Sequence, residues 1–279
     1  MAPDAIKEKY RRLIGLLTEM ESVAVAFSGG VDSTLLLHAA REALGEKVLA
    51  VTLSAPYTPR WEIGQAREFA EAAGVRHRVV DVAFPEEIRD NPEDRCYICK
   101  RILFSRIMEI ARAEGIPHVL EGTNVDDLGD HRPGLKAIRE LAVKSPLLEA
   151  GLAKEEIRQL SRELGLPTWG KPALACLMTR IPFGERVEEE TLRRIEAAEV
   201  FLMGIGFPGV RVRNHGDVAR IEVPADRVPD LVAAERTHGI VERLKAMGYR
   251  HVAVDLAGYR MGSLNDTACE RGEEEEHGE

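Results

Sequence analysis

The sequence has few cysteines, no excess of basic charge, no long apolar run and no internal repeat. Four cysteines in 279 residues are too sparse for a disulfide framework, so they point to metal binding, catalysis or simple burial. Lysine and arginine total 38 against 47 aspartates and glutamates, a formal net charge of −9. That argues against a duplex or tRNA partner, which calls for a basic surface. Part of the acidity sits at Glu270 and from Glu273 to Glu279, so the rest of the chain is less acidic than the total. No stretch is apolar for long enough to span a bilayer. The opening Met-Ala-Pro-Asp-Ala-Ile-Lys-Glu lacks the apolar core of a signal peptide. The expectation is a cytoplasmic protein with no membrane and no nucleic acid among its partners. With 44% hydrophobic and 30% charged residues, the chain can build a sizeable core in one large or two modest domains.

Apolar and polar spacing then divides the chain. Helical spacing runs from Asp4 to Glu21, and Val23 to Phe27 reads as a strand buried on both faces. A helix follows from Thr34 to Leu44. Strands are expected at Val48–Leu53, Arg76–Val82 and His118–Leu120, and helices at Trp61–Ala73, Cys96–Glu114 and Lys154–Leu164. Strands alternating with helices imply a parallel sheet covered on both faces, with ligands at the carboxyl ends of the strands. After about residue 185 the rhythm changes. A helix at Glu188–Met203, a hairpin around Asn214 to Asp217, a long helix at Val228–Met247 and a strand at His251–Leu256 suggest a small α+β domain. The expected boundaries are a first domain at 1–170, a cysteine-bearing linker at 171–184, a second domain at 185–265 and a disordered acidic tail at 266–279.

Five stretches carry chemistry. Ser28-Gly29-Gly30-Val31-Asp32-Ser33 joins an apolar strand to a helix start. Glycines let backbone N–H groups approach an anion and the helix dipole favours its charge. Ser28 and Ser33 add hydroxyl donors; Asp32 could hold magnesium, orient the loop or serve the helix start. No Gly-Lys-Ser/Thr follows, which excludes a Walker loop. Ser54 and the stretch Gly122-Thr123-Asn124-Val125-Asp126-Asp127 end other strands, so they converge on the same crevice. Cys96 and Cys99 are three residues apart on one helix face, which suits burial, a redox pair or metal ligation. Cys176 lies in a Pro-flanked segment with Lys171 and Arg180 nearby, where cations would favour thiolate. Arg211 and Arg213 alternate on one strand face, with Glu222 and Arg260 further on. Spacing alone favours a surface strand with solvated charges; paired guanidiniums also suit phosphate or carboxylate.

The Ser28–Ser33 loop resembles the PP-loop of N-type ATP pyrophosphatases, the adenine nucleotide alpha hydrolase-like fold. Further motifs resemble the LarE family of ATP-dependent sulfur transferases. They are Gly122–Asp127, Pro172-Ala173-x-Ala175-Cys176-x-x-x-Arg180-Ile181-Pro182-Phe183-Gly184, Val210–Arg213 and Gly258-Tyr259-Arg260-x-Gly262-Ser263-x-Asn265. The resemblance implies ATP and Mg2+ at Ser28, Gly29, Gly30, Asp32, Ser33, Ser54, Gly122, Thr123 and Asp127. It implies a pyridinium mononucleotide dicarboxylate as substrate, held by Arg180, Arg211, Arg213, Glu222 and Arg260, and catalysis by Cys176 and Asp32. The implied product is a thiocarboxylate in nickel-pincer cofactor synthesis, with other enzymes of that synthesis as partners and a homo-oligomeric state. Family members that sacrifice the sulfur of the cysteine matching Cys176 lack the Cys96/Cys99 pair; this chain resembles the type in which three cysteines hold a 4Fe-4S cluster. A Cys₃ zinc site would use the same ligands. Sacrifice of Cys176, or a PP-loop tRNA thiolase, are the alternatives. Cys269 fits none of these.

Overall fold

The computed structural model describes residues 3–129, 134–172 and 175–259. Arg260, Cys269 and the tail at 266–279 lie outside the described residues. The chain divides into two compact units, Met1–Ile88 with Glu93–Lys171, and Arg89–Pro92 with Pro172–Glu279. The excursion of Arg89–Pro92 has a local cause. Buried Asn91 donates to the carbonyls of Ile181 (2.9 Å) and Pro182 (2.8 Å), and its own carbonyl accepts from the Gly184 amide at 3.1 Å.

In the first unit, α1 (Pro3–Thr18) leads to β1 (Val23–Ala26), α2 (Val31–Leu44), β2 (Val48–Ser54), α3 (Arg60–Ala72) and β3 (Arg76–Asp81). Then come α4 (Arg95–Ala113), β4 (His118–Leu120), α5 (Gly134–Glu140), α6 (Pro146–Glu149) and α7 (Lys154–Glu163). The strands form a four-stranded sheet in the order β3-β2-β1-β4, with every pairing parallel. Side chains alternate across it. Val23, Val25, Val48 and Ala50 join residues of α1, α2, α3 and α7 on one face. Ala24, Leu49 and Val51 join Phe104, Ile107 and Ile138 of α4 and α5 on the other. The chain steps outward from β1 to β3, then crosses back past β1 to β4. The carboxyl ends of β1 and β4 therefore flank the topological switch point, where such sheets bind ligands.

In the second unit, α8 (Glu189–Gly204), β5 (Arg211–His215), β6 (Val218–Glu222), α9 (Val228–His238), α10 (Ile240–Ala246) and β7 (His251–Val254) follow in order. β5 and β6 form an antiparallel hairpin and β7 joins β6 in parallel. Gly216, at φ 60°, takes the left-handed position that a two-residue hairpin turn demands. Val212, Ala219 and Ile221 pack with Ala198 and Leu202 of α8 and with Leu231 and Leu244.

Three expectations need correction. The helix after β1 starts at Val31 rather than Thr34, its first turn closed by the Thr34 amide donating to the Gly30 carbonyl at 2.9 Å. The long helix at 228–247 is two helices. Gly239, at φ 56°, ends α9, and Glu235 Oε2 accepts from the Val241 amide (3.0 Å) to start α10. The short helices α5 and α6 add to the expected set, since so few residues show no periodicity.

Candidate active site

The phosphate loop is shaped by sequence-local chemistry. Phe27 continues the ladder, its amide donating to Val51 O at 2.9 Å. Gly29 then turns at φ +70°, and a Cβ there would lie 3.2 Å from Ala66 Cβ. Strain and crowding both demand glycine. Ser28 Oγ and Ser33 Oγ lie 3.1 Å apart across the loop, and the Gly30 amide reaches Ser28 Oγ at 3.4 Å. The hydroxyls are thus pre-placed beside the start of α2, where the helix dipole favours an anion.

The loop after β4 lies directly against it. A Cβ on Gly122 would come within 3.2 Å of both Asp32 Cβ and the Ser33 amide nitrogen, so glycine lets the two loops approach this closely without displacing Asp32 or Ser33. Asn124 Nδ2 donates to Asp32 Oδ1 at 3.2 Å, and Lys154 Nζ, from the first turn of α7, forms an ion pair with Asp32 Oδ2. Asp127 caps its own turn, Oδ2 accepting from the Asn124 amide at 3.0 Å. Glu121 is buried; it accepts from Thr123 Oγ1 (2.7 Å) and from Ser145 Oγ. The carbonyl of Gly29 accepts from Lys171 Nζ at 3.0 Å.

A cavity of about 360 Å³ opens here, lined among others by Ser28, Asp32, Ser33, Gly122, Thr123 and Asp127. That volume lies in the range of small-molecule sites. Behind it, Thr52 Oγ1 donates to Phe27 O at 2.6 Å, so the 2.8 Å contact with His77 Nε2 makes that nitrogen the donor. Burial first, and then nearby Arg67, push His77 below its ordinary value. Ser54 does not line the cavity; Thr52 and Leu53 of the same strand do.

Cys96 and Cys99 occupy the first turn of α4. Cys96 is exposed and Cys99 half-buried, with its sulfur 3.2 Å from the Tyr57 hydroxyl. Two thiols on one helical turn suit a soft metal or an iron–sulfur cluster. The third expected ligand, Cys176, belongs to the second unit. Among the described residues no group of three His, Cys, Asp or Glu is gathered to hold a metal ion.

Cys176 precedes a 3₁₀ turn at Leu177–Arg180. Its carbonyl accepts from the Thr179 amide (3.1 Å) and from Arg180 Nη1 (3.2 Å). Arg180, only 1% exposed, pairs bidentately with Glu199 at 2.8 and 2.9 Å and donates to Ala175 O at 2.8 Å. Arg180 thereby braces the backbone of the Cys176 turn. Arg213 pairs with Glu222 Oε2 through Nε (3.0 Å) and Nη2 (2.7 Å), and its Nη1 donates to Thr179 O at 2.6 Å. Arg211 stacks 5.1 Å from the Tyr259 ring centroid; burial first, then Arg180, push its guanidinium down. The solvated strand face favoured by spacing is therefore overturned, since Arg211, Arg213 and Glu222 are all buried.

Sequence reasoning missed Glu199, set Lys171 only beside Cys176, and gave Lys154 no contact with Asp32. Glu199 carried a signal, being an acid beside the buried stripe Leu192, Ile195, Ala198 and Leu202 of α8. The two lysines meet the loop only through the fold.

A parallel sheet whose switch point carries a Ser-Gly-Gly-x-Asp-Ser loop, with no Walker lysine, defines the first unit as a PP-loop adenine nucleotide domain. Residues 22–93 match the family profile described as "Queuosine biosynthesis protein QueC". Over 263 residues the chain is 39% identical to the pyridinium-3,5-bisthiocarboxylic acid mononucleotide synthase of Lactiplantibacillus plantarum, spanning 93% of this chain and 94% of that protein. It is 38% identical over 263 residues to an uncharacterised protein of Synechocystis, spanning 93% and 98% of the two chains. Argininosuccinate synthase of Natronomonas pharaonis aligns over 170 residues at 30% identity, covering 55% of this chain and 42% of that protein. The chain belongs to the LarE family, that of the Lactiplantibacillus synthase. Among the described residues no helix is long and apolar enough to cross a membrane.

Proposed function

We propose that the protein is an ATP-dependent sulfur insertase that turns carboxylates of pyridinium-3,5-biscarboxylic acid mononucleotide into thiocarboxylates for nickel-pincer cofactor synthesis. The observation that carries this reading is the phosphate loop at the switch point, in a chain alike over nearly its whole length to the Lactiplantibacillus synthase. A carboxylate is a poor electrophile. Its oxygen attacks the α-phosphorus of ATP, the bond to pyrophosphate breaks, and an acyl adenylate remains. The N–H groups and hydroxyls of Ser28–Ser33 receive the departing pyrophosphate. Asp32, with Asn124 and Lys154 on it, is the carboxylate proposed to meet Mg2+. A sulfur nucleophile then attacks the acyl carbon and AMP leaves with the C–O electrons.

Cys96, Cys99 and Cys176 are the thiolates proposed to hold a 4Fe-4S cluster, which when bound would supply the sulfur. Arg180 and Arg213 both donate into the backbone at 175–179. In this reading they serve by fixing that turn, and Arg211 and Arg260 are the guanidiniums proposed to meet the substrate's phosphate or second carboxylate. A homo-oligomer in the cytoplasm, passing its product to other enzymes of the synthesis, completes the proposal.

The test is anaerobic reconstitution with iron and sulfide, then incubation with ATP and the pyridinium dicarboxylate, followed by intact mass spectrometry. Pyrophosphate release should depend on the dicarboxylate, thiocarboxylate should form repeatedly, and the polypeptide mass should not change. Loss of the elements of hydrogen sulfide from the polypeptide would make Cys176 the sulfur source. Thiolation of tRNA in place of the dicarboxylate would overturn the reading.

A further inference from the structure

We propose that Lys171 is a catalytic residue of the adenylation, its ammonium contacting the pyrophosphate end of ATP and the same group as it leaves. The inference rests on the reading that the Ser28–Ser33 loop receives phosphate. Lys171 is distant in sequence from that loop, yet its Nζ donates to Gly29 O at 3.0 Å. Its backbone is fixed: Arg158 donates to the carbonyls of Trp169 (2.7 Å) and Lys171 (2.9 Å), and the Lys171 amide donates to Thr168 O at 3.0 Å. The side chain is thereby aimed at the loop by two independent anchors.

The electrostatics are unusual for a lysine in this chain. The side chain is half-buried, and the ammonium lies 5.3 Å from the Trp61 ring centroid. An ammonium has three donors, and among the described residues the Gly29 carbonyl is the acceptor it has. Lys9 pairs with Glu156 at 2.7 Å and Lys154 pairs with Asp32. No carboxylate of the described residues makes such a pair with Lys171. Burial pushes its ammonium below the ordinary lysine value, opposed by the more distant charge of Glu62. A partly desolvated cation without a counter-ion is costly unless an anion arrives. The neighbouring loop, with a glycine turn, a helix start and two hydroxyls, is built to receive one. The plainer role, a lysine resting its stem on Trp61 and capping a carbonyl, explains the packing but leaves the charge unanswered.

The test titrates the full chain with magnesium pyrophosphate and, separately, with adenosine, by calorimetry. Lys171→Met should weaken pyrophosphate binding about tenfold or more, leave adenosine affinity within about twofold, and leave the melting temperature near that of the wild type. Lys171→Arg should restore most of the pyrophosphate affinity. Unchanged pyrophosphate binding in Lys171→Met would overturn the proposal. So would equal losses for both ligands, which would mark Lys171 as a prop of the loop. Neither titration involves the pyridinium substrate or sulfur, so failure of the sulfur-insertase reading would leave the result intact. A Lys171→Met chain that fails to fold leaves the Lys171→Arg titration to decide. Retained pyrophosphate affinity there supports a cation–phosphate contact, and a loss as large as about tenfold contradicts it.

Discussion

The phosphate loop and the Cys176 turn are both short, non-repetitive stretches, yet they are held in opposite ways. The loop of the first unit is held by backbone geometry and small hydroxyls, and its neighbouring cations are partly exposed. Lys154 and Asp32 retain 32% and 21% side-chain exposure. The turn of the second unit is locked by buried ion pairs, Arg180–Glu199 at 1% and 7% and Arg213–Glu222 at 6% and 2%. Under the proposed function the difference follows from what each would do. A loop that receives a polyanion keeps its donors available and its cations near water, where they can change partners. A turn that must present one sulfur gains from guanidinium forks that fix several carbonyls at once.

That contrast can be broken by substitution. The largest effect is expected from Glu199→Ala. It strands the Arg180 guanidinium in the core and also removes the acceptor of the Val212 amide (2.9 Å). Breaking such a pair costs about 3–5 kcal/mol, readable by urea denaturation. A change below about 1 kcal/mol would place these pairs with surface ion pairs and erase the distinction. The double replacement Arg180→Met with Glu199→Leu should recover much of the loss, because an apolar pair of similar size removes the stranded charge.

Next in size is Gly29→Ala. A non-glycine residue in the left-handed region costs about 1–3 kcal/mol, and here the Cβ would also press on Ala66. ATP affinity should fall about tenfold or more, measured by titration, while the second unit keeps its denaturation midpoint. An ATP affinity equal to the wild type's would show that the loop does not need its observed shape.

The smallest effect concerns pH. His77 is held below its ordinary value of 6.5, so the fold prefers the neutral ring. Its contribution to stability is complete above pH 6.5 and declines as pH falls below it, because the unfolded chain takes up the proton first. His118 and His215 are lowered for the same first cause, burial. The diagnostic is therefore a difference: His77→Gln should flatten the acid-side slope of stability relative to the wild type. An unchanged slope would remove His77 from the cavity's support.

What was legible in the sequence was what is contiguous. β1, the Ser28–Ser33 loop and α2 follow one another along the chain, so spacing and residue type disclose the anion site. The His118–Leu120 strand was legible to the residue, bounded by Pro117 and Gly122. The second unit was less so. Whether Arg211 and Arg213 face water depends on α8 and the 3₁₀ turn packing over β5, and alternation along a strand does not say which face is covered. Lys171 could be seen as a cation beside Cys176 in sequence; its contact with Gly29 depends on the path from α7 back toward β1. Ser54 illustrates the same limit, since β2 runs one residue past the expected Leu53 to include it while the cavity is lined by the preceding Thr52 and Leu53.

The central claim of the proposed function is that activating the carboxylate and delivering sulfur are separable steps, the first assigned to the phosphate loop and the second requiring Cys176. The most direct measurement is ATP–pyrophosphate exchange and thiocarboxylate formation, followed together in Cys176→Ala with the pyridinium dicarboxylate present. The expected result is exchange at a rate near the wild type's, with no thiocarboxylate. Retained thiocarboxylate formation, or loss of exchange in a variant that melts like the wild type, would contradict the account.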